Sequence, residues 1–311
     1  MEQREQPQSE EIDFSPDSVA ITATTLYRGW YEGDPRDVSD TDKIRGDLAL
    51  HTIDLALAKG YRVVVADGPS SQEFKEELAR RNILLVPRAS EERSEARRQL
   101  IEKSSSIPGV KVIIRTEPEK ASLVESCIPQ LVLPILKGEA DIVVPKRNPS
   151  LFEQTYPNYM HSSEVQANRR YNRILREFGF IPDGMTDLDF FFGPAVLKND
   201  PQIIELFLKK YKLHLKRETT IGVRKYISPD DFSNSQIFAV VEAMSKGVRV
   251  KSVEIPFVYP DAQRENEMID YQGFSEKRKK QKWGILDELV LFIRYLNNPN
   301  DPKNLLEQSE N

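Results

Sequence analysis

Up to residue 147 the chain alternates between short, continuously apolar segments and longer segments with apolar residues at helical spacing. The apolar segments are typical of buried strands, because they are rich in β-branched residues and show no polar face. They lie at residues 18–26, 61–68, 82–88 and 140–147, with a further one that begins at residue 110. The helical segments between them lie at 42–60, 71–81, 90–105 and 121–137. This alternation predicts an α/β fold with a mostly parallel central sheet covered by helices on both faces.

After residue 147 the pattern is less regular. It predicts a polar loop at 148–162, helices at 163–179, 203–215, 233–247 and 279–296, and strands at 188–197 and 248–258. Pro129 and Pro134 are expected to kink or divide the helix at 121–137. No change in composition marks a linker, so we predict a single domain at 17–297, with halves at 17–147 and 148–297. The polar ends, 1–16 and 298–311, are predicted to be disordered tails.

Composition excludes several classes of protein. The 311 residues carry a net charge of -5, which gives no reason to expect nucleic-acid binding. The single Cys127 excludes a disulfide scaffold, and three scattered histidines do not have the spacing of a metal centre. No apolar stretch is long enough to span a membrane, and the acidic N-terminus is unlike a secretory signal, so we expect a cytoplasmic protein. The basic run at 275–283 is typical of a solvated surface; attraction to anionic lipid or phosphate is the alternative.

Polar side chains follow the predicted strands where ligands bind in open parallel sheets, at the carboxyl ends. These residues are Thr24, Thr25, Tyr27, Asp67, Arg88, Glu117, Glu119, Lys146 and Arg147. Neither a Rossmann G-x-G-x-x-G fingerprint nor a P-loop occurs in the chain. A nucleotide site would therefore have to bind phosphate through side chains.

Glu117 and Glu119 flank Pro118 at the end of the fourth strand. In extended chain, residues two apart point to the same side, and the proline favours extended geometry at Glu117. Two such carboxylates, together with a diphosphate, would suit Mg²⁺ or Mn²⁺. The alternatives are a solvated strand end, or acids that stabilise the N-terminus of the next helix.

The order of these motifs resembles that of nucleotide-sugar-dependent glycosyltransferases of the GT-A fold (family 2-like), which include the dolichyl-phosphate mannosyltransferases and similar synthases. The resemblance covers about residues 18–260. It is carried by Ala96-Arg97, by "ADIVVPKR" at 140–147, and most specifically by "AMSKGVRVKSVEIPF" at 243–257. Arg264 and "GFSEK" at 273–277 resemble the closing loop of that family.

The resemblance implies a glycosyltransferase that moves a sugar from a nucleotide-diphosphate sugar to a hydroxyl acceptor, with a divalent metal, Mn²⁺ or Mg²⁺. It makes 17–147 the nucleotide-binding half and 148–297 the acceptor half. The implied roles are nucleotide binding for Thr24, Thr25, Tyr27, Asp67 and Arg97, metal binding for Glu117 and Glu119, and catalysis for Asp187, Asp189 and Asp231. Asp187 and Asp189 would lie near the acceptor and the sugar, and Asp231 would deprotonate the acceptor hydroxyl.

The chain also departs from the family. Glu-x-Glu replaces Asp-x-Asp, Gln236 stands where a glutamate is usual, and the family's C-terminal membrane helices are not found. Single residues have plainer interpretations too: Asp67 as a turn former, Arg97 on a solvated helix face, and Asp231 as a helix cap.

Two other functions stay open. A non-catalytic protein with a nucleotide-sugar fold would explain the departures from the family. A sugar-phosphate nucleotidyltransferase uses a similar sheet, but it would need a glycine-rich basic loop after the first strand. Here that segment, "TLYRGWYEGDPRD", is acidic.

Overall fold

The predicted strands assemble into one large sheet in the computed structural model of the chain. It describes residues 14–88, 93–210, 217–219, 222–224 and 235–298. The strands within these ranges are β1 (Val19–Thr25), β2 (Arg62–Asp67), β3 (Leu84–Pro87), β4 (Val112–Arg115), β5 (Ile142–Arg147), β6 (Ala195–Lys198), β7 (Arg217–Thr219), β8 (Gly222–Arg224) and β9 (Val250–Ile255). The helices within them are α1 (Thr41–Ala58), α2 (Gln72–Ala79), α3 (Arg93–Ser105), α4 (Ile128–Leu136), α5 (Pro149–Thr155), α6 (Asn158–Glu177), α7 (Pro201–Leu208), α8 (Ser235–Ser245), α9 (Asp261–Ile269) and α10 (Tyr271–Asn297).

Among the described residues the large sheet has seven strands in the order β3-β2-β1-β4-β6-β5-β9. Every neighbouring pair is parallel except those of β6, which runs antiparallel to both β4 and β5. β7 and β8 form a separate antiparallel pair. The predicted fold class, an α/β domain with a mostly parallel sheet covered by helices, is confirmed.

The two faces of the sheet carry two apolar cores. Val19 and Ile21 of β1 pack on the face that α1, α2 and α4 cover. Ala20, between them, belongs to the opposite face, which α3, α6, α7, α8 and α10 cover. Successive strand residues point to opposite faces, so a sheet covered on both sides needs strands with no polar side. This explains the continuously apolar segments of the sequence.

Several predicted elements differ from the structure. The expected polar loop at 148–162 is wrong: the segment contains α5 and the first turn of α6. Asn148 caps α5 by accepting a hydrogen bond from the backbone N–H of Leu151 at 3.2 Å, and Pro149 occupies the first turn, where its missing N–H costs nothing. The segment also buries Phe152 and Tyr156, which outweighs its polar composition.

Other predicted boundaries of strands and helices differ from those in the structure. The strand expected at 188–197 is a 3₁₀ turn at Phe190–Phe192 followed by β6, and the helix expected at 203–215 ends at Leu208. The segment at 121–137 is divided as expected, into a π-helical turn at Leu123–Cys127 and α4. The stretch that resembles a closing loop, 273–277, lies in the first turns of α10. None of the helices within the described residues combines the length and the apolar character that a membrane crossing requires.

The loop after β1 is fixed against α1 by Trp30. The indole N–H donates to Oδ1 of Asp47 at 2.9 Å, and the ammonium of Lys43 lies 4.8 Å from the indole ring centre. Gly46 lies directly under the ring, where a Cβ atom would collide with the indole. Tyr27 lies just upstream in the same loop, so this contact helps to position the carboxyl end of β1.

We predict that Gly46→Ala destabilises the protein by about 1–3 kcal/mol, because the added methyl group must displace the buried indole. The matched control is Gly284→Ala in α10, where a Cβ meets nothing within 4 Å. That control should be neutral or stabilise by up to about 1 kcal/mol through helix propensity. Chemical denaturation of both variants measures the difference, and equal free energies of unfolding would contradict the proposed contact.

Candidate functional site

A cleft of about 490 Å³ opens at the carboxyl edge of the sheet. We call it the carboxyl-edge cleft. Its lining residues are Thr24, Thr25, Leu26, Tyr27, Arg45, Arg88, Arg93, Arg97, Glu117, Pro118, Glu119, Glu267, Phe274, Lys277, Arg278 and Gln281. They end or follow β1, follow β3 and β4, or belong to α1, α3, α9 and α10. The structure therefore brings Thr24, Thr25, Tyr27, Arg97, Glu117 and Glu119, all predicted from the sequence, to one cavity.

Asp67 lies behind this cleft at the end of β2 and ties two loops together. Its Oδ1 accepts hydrogen bonds from the hydroxyls of Thr25 at 2.8 Å and Ser70 at 2.6 Å. The Ser70 hydroxyl in turn accepts from the backbone N–H of Tyr27 at 2.9 Å. The other oxygen, Oδ2, is buried and has no hydrogen-bond partner among the described residues. Burial raises the pKa of Asp67 above its usual value, although the two hydroxyl donors oppose the shift.

Glu119 is held by groups from the first half of the chain. Its Oε1 accepts a hydrogen bond from the Tyr27 hydroxyl at 3.0 Å and lies 3.9 Å from Nε of Arg45. Arg45 also reaches Glu267 of α9, with 3.6 Å between Nη2 and Oε1. Glu119 thus lies in a shared ion-pair network rather than at a bare strand end.

Glu117 lies among cations. Nζ of Lys120 is 3.5 Å from its Oε2, and Arg97 and Arg115 are close enough to affect its ionisation. Burial opposes the charged form of Glu117, but Lys120, Arg115 and Arg97 outweigh it, so the pKa of this carboxyl is lowered. The carboxylate packs against Gly193, where a Cβ atom would collide with it, and the φ of 101° at that position also favours glycine. The carbonyl of Gly193 accepts a hydrogen bond from Arg115.

The cleft is strongly cationic although the chain is acidic overall. Among the described residues that line it, six charged side chains are basic and three are acidic, against a net charge of -5 for the chain. Burial lowers the pKa of Arg97 to about 10, and the neighbouring Arg93 and Arg88 add to the effect. Burial likewise lowers the pKa of Arg115 to about 9, with a contribution from Arg97. Guanidinium groups stay protonated in proteins, so these shifts reflect the burial of positive charge.

The residues predicted as metal ligands fit a divalent ion poorly. The counter-ions of Glu117 and Glu119 are Lys120 and Arg45, which a metal would have to displace. Within the described ranges no group of three or more His, Cys, Asp or Glu side chains is arranged to hold a metal ion. A divalent cation would also be repelled by the surrounding guanidinium groups. The arrangement of donors therefore does not support the metal prediction.

Asp187 and Asp189 lie away from the carboxyl-edge cleft, on a separate cavity of about 250 Å³. Asp189 is buried and receives two hydrogen bonds of 2.7 Å from the guanidinium of Arg147, which also donates to Glu164 at 2.6 Å. Asp187 is half exposed and pairs with Arg176 at 2.8 Å. In this arrangement Asp189 is a structural partner of Arg147. The third predicted catalytic residue, Asp231, lies outside the described residues.

Sequence reasoning did not include four cations of this region among the predicted site residues. Arg45 belongs to α1, and no pattern separated it from the other charged residues of that helix. Arg115 is the last residue of β4, and its direction follows from Gly193, a contact that sequence spacing does not reveal. Lys277 and Arg278 belong to the basic run at 275–283; the phosphate-attracting interpretation of that run fits their position on the cleft.

Comparisons with solved structures give distant similarities. No protein-family model matches the chain, and no curated protein matches it. A glucosyl-3-phosphoglycerate synthase from Mycobacterium tuberculosis, solved with UDP, aligns with a TM-score of 0.48 and 11% identity over 91% of this chain and 81% of that chain. The same enzyme solved with Mn²⁺, UDP and glucosyl-3-phosphoglycerate gives a TM-score of 0.46, with 11% identity over 91% and 81% of the two chains.

A protein from Desulfovibrio desulfuricans G20, provisionally described as a nucleotide-diphospho-sugar transferase, aligns with a TM-score of 0.40 and 9% identity over 90% of this chain and 98% of that chain. Because these similarities are low, the α/β fold of this chain follows from its own sheet, and its chemistry is inferred from its own side chains.

Asp187 and Asp189 both precede β6 but differ in burial, so the two substitutions compare the cost of losing an exposed and a buried ion pair. Asp189→Asn is expected to lower the free energy of unfolding by about 3 kcal/mol or more, because the buried Arg147 loses one of its carboxylates. Asp187→Asn removes an exposed ion pair and should cost less than about 1 kcal/mol. Denaturant titrations measure both changes. Similar small losses would show that the Arg147 network contributes little to the fold.

Proposed function

We propose that the chain is a glycosyltransferase that uses a nucleoside diphosphate sugar as donor and a hydroxyl compound as acceptor. The observation that carries the proposal is the cationic carboxyl-edge cleft, in which most of the nucleotide-binding residues predicted from the sequence meet. Its volume of about 490 Å³ is within the range of small-molecule sites. Its excess of basic side chains suits the two negative charges of a diphosphate.

In this proposal the nucleoside lies over the ends of β1 and β2. Thr24, Thr25 and Tyr27 line the cleft there, and Asp67 lies directly behind Thr25. The partnerless Oδ2 of Asp67 would accept a hydrogen bond from an N–H of the base, and an acceptor left without a donor is costly when buried. Selection among bases would follow from that single acceptor and the neighbouring hydroxyls.

The diphosphate would lie toward α3, where Arg97 and Arg93 project into the cleft beside Arg88. As the bond between the sugar carbon and the diphosphate oxygen breaks, the electron pair leaves with the diphosphate, and the guanidinium groups stabilise the added charge. The acceptor hydroxyl forms the new bond to the sugar carbon and gives its proton to a base. Asp231 stays our candidate for that base, and Asp189 would act only by positioning Arg147.

The proposal includes a cytoplasmic location, on the composition of the chain. A non-catalytic protein that binds a nucleotide sugar in the same cleft is the rival explanation, since the described residues of the cleft include no carboxylate that lacks a basic neighbour. Binding alone cannot separate the two, whereas transfer of labelled sugar to an acceptor mixture can.

We predict that a panel of UDP-, GDP-, ADP- and dTDP-sugars raises the melting temperature for one base only. A ligand at about 100 times its dissociation constant stabilises the folded state by about 2.7 kcal/mol. For a chain of this size the shift should be a few degrees. The panel is measured once with chelator and once with added Mn²⁺. A flat panel in both conditions, with folded protein, would rule out the proposed donor class.

Asp67→Asn tests the nucleoside end separately. The amide keeps one oxygen for Thr25 and Ser70 but loses the acceptor at Oδ2, so binding of the preferred nucleoside diphosphate should weaken about tenfold. Binding of inorganic pyrophosphate, which lacks a base, should be unchanged, and isothermal titration calorimetry compares the two ligands. An equal loss for both would place the role of Asp67 in loop structure instead of base recognition.

A further inference from the structure

The carboxylate that the sequence presents as a metal ligand, Glu117, is surrounded by fixed cations. Lys120 lies 3.5 Å from its Oε2, and Arg97 and Arg115 are further neighbours. Arg97, Arg115 and Glu117 also line a cavity of about 110 Å³ that adjoins the carboxyl-edge cleft and that Arg278 and Lys282 line as well. Lys120 and Glu117 line a second adjoining cavity of about 110 Å³. Positive charge is therefore arranged around the place where a metal ion would have to bind.

These cations are held in place by contacts outside the cleft. Arg115 is nine-tenths buried, and its guanidinium donates to the carbonyl of Gly193. The ammonium of Lys120 lies 4.4 Å from the ring centre of Phe192 and 5.3 Å from that of Phe257. Such contacts help to keep a cation in position. Arg115 and Lys120 are thus held in place beside Glu117.

The charge balance of the cleft also favours the binding of an anion without a metal ion. Among the described residues, the lining of the carboxyl-edge cleft has three more basic than acidic side chains, against the two negative charges that the diphosphate of a nucleotide sugar carries. A divalent metal would add two further positive charges to that excess. Metals serve diphosphate sites by neutralising phosphate oxygens, and here the side chains suffice for that task.

We propose that a diphosphate group binds beside Glu117, where the carboxyl-edge cleft meets two smaller cavities, directly through Arg97, Arg115 and Lys120 and without a divalent metal, and that Glu117 is a counter-ion with which the diphosphate competes. The identity of the ligand as a nucleoside diphosphate rests on the proposed function, whereas the binding of a diphosphate does not. Because the incoming phosphate oxygens take over the cations, Glu117 competes with the ligand instead of helping to bind it.

The proposal and a metal site predict opposite effects of the substitution Glu117→Gln on the binding of pyrophosphate. If Glu117 is a counter-ion, Glu117→Gln removes a competing charge, and pyrophosphate should bind about three- to tenfold more tightly in the presence of EDTA. If Glu117 is a metal ligand, the same variant should bind more weakly, and only the metal-loaded protein should bind at all. Glu139→Gln, an exposed residue paired with Lys251, changes the net charge equally and serves as the control.

Two further variants test the cations. Arg97→Gln and Arg115→Gln should each weaken pyrophosphate binding in EDTA at least tenfold, since a charge-assisted contact to phosphate is lost. Arg115 also supports the Gly193 loop, so its variant is checked by circular dichroism and thermal unfolding. Lys251→Gln, far from the cleft, is the control for loss of a basic residue, and its affinity should equal that of the parent.

The deciding experiment is isothermal titration calorimetry of the full chain with inorganic pyrophosphate and with the preferred nucleoside diphosphate, in EDTA and then in Mg²⁺ or Mn²⁺. Tight binding in EDTA that Glu117→Gln strengthens supports the inference. Binding only with metal, or loss of binding in Glu117→Gln, overturns the inference but leaves the proposed function intact. Metal-free binding of pyrophosphate with no response to any nucleotide sugar supports the inference and contradicts the proposed function. No binding of either ligand in any condition overturns both.

Discussion

The buried guanidinium of Arg147 joins the parts of the fold on which the cleft depends. It stands at the end of β5 and bonds to Asp189, which precedes β6, and to Glu164 of α6. Glu164 in turn lies 3.5 Å from Arg278 of α10, which lines the cleft. Buried ion pairs contribute little net stability compared with apolar packing, but removing one partner is costly. The network therefore acts chiefly to select one arrangement of β5, β6, α6 and α10.

That arrangement of strands and helices determines where the charged side chains lie. The antiparallel β6 places Gly193 against Glu117 and presents its carbonyl to Arg115, so the end of β4 is fixed by a strand from the second half of the chain. The carboxyl edge of a parallel sheet gathers the side chains that follow each strand, and most of the charged ones among the described residues here are basic. An acidic chain with one concentrated basic cavity is the arrangement expected for an anionic ligand.

Much of the fold follows from hydrophobic periodicity. The first five strands and the helices between them were predicted within a few residues, because β1, β2, β4 and β5 are buried on both faces and leave a continuous apolar signature. The edge strand β3 is equally apolar in sequence, although Leu84 and Leu85 are exposed. The later elements were less predictable for identifiable reasons. The short β6 is preceded by the apolar 3₁₀ turn at Phe190–Phe192, which periodicity does not separate from a strand, and its direction depends on pairing partners distant in sequence. The polar composition of 148–162 concealed α5, which is stabilised by its cap and its buried aromatic residues.

The prediction of the site from the sequence was limited in a similar way. Spacing and resemblance identified the residues that follow each strand, and the structure does gather Thr25, Arg97, Glu117 and Glu119 in one cavity. Sequence spacing does not reveal which residues surround these side chains in the folded protein. A pair of acids two residues apart has the same appearance in sequence whether a metal or a set of cations surrounds it. The difference lies in Arg45 and Lys120, one from a distant helix and one placed by aromatic packing. The role of a carboxylate pair follows from its counter-ions, and these are set by tertiary structure.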